Sequence, residues 1–326
     1  MGREKQLLDI LNDGTFHSGE ALAQVLGVSR AAVWKLVRVL QRRGIRIQAV
    51  RGRGYCLPEP VELLDQARIT AELQADVRSL IGEIEIHQSI DSTNTYLLSR
   101  AKDGLVSGSV CLAELQLSGR GRHGRRWISP YAANLYLSLL WRFPREVALL
   151  SGLSLVTGIA VARALRGLGI TEAGLKWPND VLWRHCKLGG VLLEFGGESL
   201  GSCYVVAGVG LNVAMPKGVG SAIDQSWVDL HRILGPTRIS RNRLATQVLS
   251  EMVQSFAKFE REGFKTISEE WAEFDLVAGR RVSLKLPTKT ITGIAHGVDE
   301  SGALLLTTPT GVERFIAGEI SLRLSE

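Results

Sequence analysis

With 326 residues the chain is too long for one ordinary domain, and 45% hydrophobic with 22% charged residues excludes a disordered or fibrous protein. The uncharged run Val147 to Ala162 is 16 residues broken by Gly and Ser, short of the roughly 20 apolar residues of a membrane span, so a buried helix and no membrane association are expected. The net charge of +6 is concentrated at one end, because residues 1–60 hold ten Lys/Arg against five Asp/Glu. That balance points to nucleic acid, with a solvated surface as the alternative. No secretory signal is visible, and Cys56, Cys111, Cys186 and Cys203 form no C-x-x-C pair. Reduced thiols in a cytoplasmic protein are therefore expected, with no metal site.

In chain order, Leu7, Leu8 and Leu11 share one helical face before the turn Asn12-Asp-Gly14. A second helix starts at Ser18 as N-cap, carries Ala21, Leu22, Val25 and Leu26 inward and ends at Gly27. Ser29 caps a third, whose apolar stripe is Val33, Leu36, Val37 and Leu40. Its other face offers Ser29, Arg30, Ala31, Trp34, Lys35 and Arg38 to a major groove. Gly44 to Val50 and Tyr55 to Leu57 alternate as two short strands, with Arg51 and Arg53 on the wing between them. The pattern predicts a winged helix-turn-helix over residues 1–60; a small helical domain that binds protein is the alternative. Pro58-Glu-Pro60 reads as a linker, with the second domain over residues 66–274.

A strand over residues 84–88 leads to Asp91-Ser-Thr-Asn94, which by itself is no more than a helix N-cap. After the strand Val110 to Leu115 and Gln116 comes Gly119-Arg-Gly-Arg-His-Gly-Arg-Arg-Trp127, with three glycines and four arginines in nine residues. Glycines let backbone N–H groups approach an anion and Arg forks grip its oxygens; a solvated basic loop is the alternative. Gly119, Gly121 and Gly124 also match G-x-G-x-x-G, but Trp127-Ile-Ser-Pro130 breaks any following helix. Nor does an acidic residue stand about 20 residues on, against the dinucleotide-binding reading. An apolar strand Asn134–Phe143 and a helix from about Val147 to Leu168 follow. Next come Lys176-Trp-Pro-Asn-Asp180, Lys187-Leu-Gly-Gly190, and Gly208-Val-Gly-Leu-Asn212 after a strand from Cys203 to Ala207. Lys187, beside the apolar run Val191–Phe195, is either a snorkelling strand-end lysine or a cation aimed into a cleft. Helices from about Arg241 to Arg261 and Phe264 to Phe274 precede short alternating strands over residues 275–326.

At residues 91–94, 116, 119–127, 176–180, 187–190 and 208–212 the chain resembles the biotin–protein ligases. With its N-terminal region it is similar to their bifunctional form, which is also the repressor of the biotin operon. The resemblance implies an α+β multidomain protein: a winged helix-turn-helix, a central α/β ligase domain with a mixed sheet, and a small SH3-like β-barrel. It implies that ATP with Mg2+ activates biotin to biotinyl-5′-AMP, and that biotin then passes to a lysine of the biotin carboxyl carrier protein. The adenylate would act as corepressor, with a homodimer binding operator DNA. Carried over by position, biotin is contacted by Ser92, Thr93, Asn94, Gln116, Gly119, Arg120, Gly121, Arg122, Lys187, Gly190 and Gly208. The nucleotide side takes Arg125, Trp127, Lys176, Asn179, Asp180, Asn212 and Trp227. Lys187, Arg122 and Arg120 carry the chemistry. His123 departs from the family pattern. Two rivals remain: a lipoate ligase, which would not be expected to carry this winged domain and arginine loop, and a non-enzymatic sensor, which would not need Lys187 and the loop together.

Overall fold

The computed structural model describes residues 2–144, 150–197, 203–235, 237, 239–286, 289–316 and 321–324. Helices α1 (Arg3–Leu11), α2 (Gly19–Leu26) and α3 (Arg30–Arg42) pack beneath a hairpin of β1 (Gln48–Val50) and β2 (Gly54–Cys56). Ser18 and Ser29 cap α2 and α3 by accepting from the backbone N–H groups of Ala21 and Ala32, and Gly27 ends α2 in the left-handed region (φ 62°). The inward face of α2 differs from expectation. Leu22, Ala23 and Leu26 are buried, whereas Ala21 is exposed and Val25 is 70% exposed. The α1 and α3 partners of α2 lie one residue further round its axis than the apolar pattern suggests.

This small core is completed from outside. Tyr131 and Ala132, just after the arginine loop, belong to the same apolar cluster as Leu7, Leu11 and Leu40. Arg43 lies 5.2 Å over the Tyr131 ring. Nor do residues 61–65 hang free after the Pro58–Pro60 linker. Val61 exchanges two 2.8 Å hydrogen bonds with the Asn12 side chain, and the Leu64 N–H donates to Glu114 at 2.6 Å. Glu114, wholly buried, also pairs with Arg241 at 2.7 Å. Buried charges persist only when so paired.

The central region follows in the order α4 (Gln66–Glu72), α5 (Ala75–Leu80), β3 (Ile84–His87), α6 (Thr93–Lys102), β4 (Val110–Ala113), β5 (Leu135–Phe143), α7 (Leu153–Gly167), β6 (Ala173–Lys176), β7 (Asp180–Trp183), β8 (Cys186–Gly197), β9 (Cys203–Leu211), α8 (Leu230–Leu234), α9 (Arg241–Glu262) and α10 (Lys265–Phe274). Its seven strands form one mixed sheet in the order β3-β4-β5-β9-β8-β7-β6, parallel at β3–β4 and antiparallel elsewhere. Alternation sorts the side chains. Odd-numbered residues of β5 and β9 face α7 and α9 in the main core, while Leu140, Tyr204 and Val206 face α6. α7 begins at Leu153, later than expected, with Gly152 before it at φ 81°; the first expected residues of that helix, 147–149, lie outside the described residues.

The last strands are β10 (Arg281–Lys285), β11 (Thr290–Val298), β12 (Leu304–Thr308), β13 (Gly311–Phe315) and β14 (Ser321–Leu324). They form a five-stranded antiparallel sheet, β13-β12-β11-β10-β14, and among the described residues no pairing of β13 with β14 closes it into the expected barrel. The Trp177 indole N–H donates to the Gly302 carbonyl at 3.1 Å, which ties this sheet to the central region.

Candidate functional site

The face of the sheet opposite α7 and α9 carries a cavity of about 490 Å³. Register explains its floor. One row across the strands reads Tyr136, Gly210, Gly190, Asp180, and the next reads Ser138, Gly208, Leu192. Three of these are glycines, so the sheet is bare where a ligand would lie. Gly208 and Gly210 sit inside β9, not after it as the sequence suggested. A Cβ on Gly208 would collide with Asn94 Oδ1, and one on Gly210 would lie 2.6 Å from the Trp127 indole. Only glycine permits both approaches.

Lys187 reaches this floor through an irregularity. Gly190 and Leu192 face the cavity, so simple alternation would send Lys187 into the helix layer with Val191. The register between β7 and β8 slips at Val181/Leu182, where Gly189 opposes Val181 but Lys187 opposes Leu182. The extra residue, Leu188, is buried in the helix-side core, and the bulge turns Lys187 back to the cavity.

One end of the cavity is charged. Asp180 receives Lys187 Nζ at 2.5 Å and Lys176 Nζ at 2.7 Å. Burial alone would raise its carboxyl, but the two ammonium groups outweigh burial and hold it at about 2. Arg122 donates to Asn179 Oδ1 at 3.3 Å, and its desolvation lowers the guanidinium from its ordinary value. Lys187 also lies 5.7 Å over the Trp127 ring. The Trp127 Nε1 is buried without a hydrogen-bond partner, the kind of orphan donor that a ligand satisfies.

The other end is neutral and hydrogen-bonded. Ser92 caps α6, and Gln116 Oε1 accepts from the Thr93 N–H at 3.0 Å and the Thr93 hydroxyl at 3.2 Å. Ser138 Oγ lies 2.7 Å from Thr93 Oγ1 and 2.6 Å from Asn94 Oδ1. Asn94 Nδ2 donates to the Leu192 carbonyl at 3.1 Å and to Glu194 at 2.9 Å.

Between the two ends stands the arginine loop, closed as a small hairpin. The Gly121 N–H donates to the Arg125 carbonyl at 2.7 Å, and the Trp127 N–H to the Gly119 carbonyl at 2.8 Å. His123 takes φ 57° at the tip. Gly119 is buried at the root of the hairpin behind Ser129 and Gln116 and does not line the cavity. The two central arginines diverge. Arg122 turns to Asn179, whereas Arg120 pairs with Glu194 at 2.9 Å and Thr95 at 2.9 Å. The structure thus separates Arg120 from the Lys187–Asp180 cluster with which the sequence grouped it. Gly121, Arg125 and Trp127 complete the wall.

Asn212 lines the cavity and donates its amide to the Val228 carbonyl at 3.1 Å. Trp227 packs against Gly220 with Arg232 4.1 Å over its ring, beside the Lys187 backbone. Of the residues expected on the biotin and nucleotide sides, all but Gly119 line one cavity. The sequence reading missed Ser138 and Glu194, each a lone polar residue in an apolar strand run, and Leu322, which reaches the cavity from the C-terminal sheet.

On the helix-turn-helix, Ser29, Arg30, Ala31, Trp34, Lys35 and Arg38 are exposed along α3, and Arg51 and Arg53 along the hairpin. Arg38 lies 5.9 Å over the Trp34 ring, and Arg53 lies 4.1 Å over Phe16.

Comparison with known proteins agrees with this division. Residues 86–212 match the biotin/lipoate A/B protein ligase family, residues 3–56 an HTH domain, and residues 277–323 the biotin protein ligase C-terminal domain. A biotin protein ligase from Aquifex aeolicus, solved in complex with biotin and ATP, superposes with a TM-score of 0.64 at 32% identity. That superposition covers 75% of this chain and 100% of that one. Fold and site therefore define a biotin–protein ligase joined to a helix-turn-helix. The bifunctional ligase/repressor BirA of Escherichia coli is 40% identical over 98% of this chain and 97% of its own length, and that of Bacillus subtilis is 27% identical over 98% of both. The chain belongs to the family of bifunctional ligase/repressors.

Proposed function

We propose that the chain is an ATP-dependent biotin–protein ligase that also represses transcription, with one cavity serving both activities. The carrying observation is the polarity of that cavity, with lysines gathered on one buried carboxylate at one end and a fixed set of hydroxyls and amides at the other. Thr93, Asn94 and Gln116, oriented by Ser138, suit the ureido ring of biotin, which needs both a donor and acceptors. Its carboxylate then points toward Lys187.

In the first step a carboxylate oxygen attacks the α-phosphorus of ATP, the bond to the β-phosphate breaks, and pyrophosphate leaves. Lys187 and Arg122 hold positive charge where it is needed on the phosphate oxygens. Asp180 holds both lysines aimed until the substrates' anions compete for them. Mg2+ arrives with ATP as part of the substrate. Asp180 suits that arrangement, since Mg2+ commonly keeps its waters and takes one or two carboxylates beside the phosphates. Trp127, Trp227 and Asn212 take the nucleoside. In the second step the ε-amine of a lysine on the biotin carboxyl carrier protein attacks the acyl carbon and AMP leaves.

For repression, the exposed face of α3 enters the major groove and the wing arginines meet phosphates. The adenylate acts as corepressor by stabilising a homodimer that places two helix-turn-helix units on a two-fold operator. A repressor that meets operator DNA and a carrier protein works in the cytoplasm. To test the ligase, the chain is mixed with biotin, magnesium–ATP and a carrier domain, and the carrier is weighed. A gain of one biotinyl group is expected; no gain, with a control ligase modifying the same carrier, refutes the reading. Operator binding with and without biotinyl-5′-AMP tests repression.

A further inference from the structure

We infer that Glu194 is a positioning residue of the ligase, one that ties the arginine loop to the biotin-ring end of the cavity. The inference rests on the ligase reading above.

Glu194 is the one charge in the run Val191–Phe195, and its parity on β8 places it on the cavity face with Gly190 and Leu192. Its carboxylate lies 2.9 and 3.0 Å from Arg120 Nη2, and the same carboxylate accepts from Asn94 Nδ2 at 2.9 Å. Its side chain is 23% exposed, so the pair is partly shielded from water. One group therefore holds a loop residue and a floor residue at once. Arg120 is further fixed by Thr95 on α6, the helix that carries Asn94.

A carboxylate at this position also orders the hydrogen bonds beyond it. Asn94 Nδ2 faces two acceptors, Leu192 O and Glu194, which settles which end of the amide is nitrogen. Asn94 Oδ1 must then accept, and the single Ser138 proton goes to it. Ser138 Oγ also stands 2.7 Å from Thr93 Oγ1, and the Thr93 hydroxyl in turn donates to Gln116 Oε1. Glu194 thus sets the donor and acceptor pattern that the ureido ring meets, and it sets the height at which the loop closes above that ring. A glutamine there turns an N–H2 toward either the guanidinium or the Asn94 amide, donor against donor.

The test is steady-state pyrophosphate release by the full chain at varied biotin and varied ATP, for wild type, Glu194→Gln, Arg120→Gln and the double variant. If wild type fails to biotinylate a carrier domain at all, the ligase reading falls before Glu194 is tested. With wild type active, Glu194→Gln is expected to raise KM for biotin at least tenfold, with KM for ATP and kcat within threefold. Arg120→Gln, half-exposed and so tolerated by the fold, is expected to raise KM for biotin in the same way. The double variant is expected to be no worse than the more impaired single variant. A KM for biotin within twofold of wild type in Glu194→Gln overturns the inference, as do fold-changes that multiply in the double variant. Should Glu194→Gln lose its fold, Glu194→Asp replaces it. The shorter carboxylate keeps the charge but loses the simultaneous reach, so an intermediate rise in KM for biotin is expected; no rise overturns the inference.

Discussion

The chain concentrates cations in two places and treats them oppositely. On α3 and the wing, Arg30, Lys35, Arg38, Arg51 and Arg53 are exposed, and among the described residues no carboxylate lies within ion-pair distance of them. In the cavity, Lys176 and Lys187 share Asp180, and Arg120 sits on Glu194. A solvated row of charge suits an extended polyanion, where gain comes from counterion release over many phosphates. A small anion offers few contacts, so each cation must be desolvated and aimed beforehand, and a carboxylate holds it in place until the ligand comes.

This contrast is broken most sharply at Lys187. Lys187→Ala is expected to slow pyrophosphate release by about a hundred- to a thousandfold, as loss of one aimed charge does elsewhere, while operator affinity without the adenylate stays unchanged. Equal loss in both assays would mean that the variant had unfolded, and circular dichroism would show it.

Gly208→Ala alters the floor without touching a charge. Its Cβ meets Asn94 Oδ1, so overpacking on the order of 1–3 kcal/mol is expected to appear as a higher KM for biotin and a lower Tm. A variant with wild-type KM would place the ring elsewhere.

Asp180→Asn isolates the parking carboxylate. Its pKa is held below the ordinary 3.8, at about 2, so its stabilisation is fully present above about pH 4 and is lost as pH falls toward 2. A shift of that size corresponds to roughly 2 kcal/mol. Thermal melts are expected to show Asp180→Asn less stable than wild type at pH 6, with the gap closing as pH falls below 4. A gap independent of pH would assign the loss to packing.

The smallest effect belongs to the exposed set. Arg38→Ala is expected to weaken DNA binding about equally for all sequences and to lower the slope of log affinity against log salt by about 1 if it meets a phosphate. If Arg38 instead reads a base, the loss is confined to operator DNA.

What the sequence disclosed follows how local each determinant is. The N-caps Ser18 and Ser29 lie three residues from the N–H groups they satisfy, and both were readable. The order of the three regions was also legible, and the residues expected on the biotin and nucleotide sides, Gly119 apart, meet in one cavity, because five motifs fall in one order along the chain. Val25 was misjudged since its burial is decided by α1 and α3, not by the spacing along α2. Glu194 and Ser138 were passed over as stray polar residues in apolar strands; only the register that puts Asn94 between them gives them meaning. Lys187 was singled out from its sequence context and lines the cavity, but the bulge that aims it comes from pairing with β7, which one strand's sequence does not contain.

Tyr131 and Ala132 bear on how such a chain can be rearranged. They lie in the ligase half of the sequence, yet they finish the apolar core of the helix-turn-helix. The two halves are therefore not interchangeable parts joined by string. A chimera that borrows another relative's first 60 residues would seat a foreign set of leucines on this tyrosine, four residues past Trp127 and the wall of the cavity. Shuffling at the Pro58–Pro60 linker alone would leave a gap or a clash at that seam. Grafts that also carry residues 128–132 from the donor would be the ones that fold, and inheritance of the repressor half would then bring a piece of the enzyme with it.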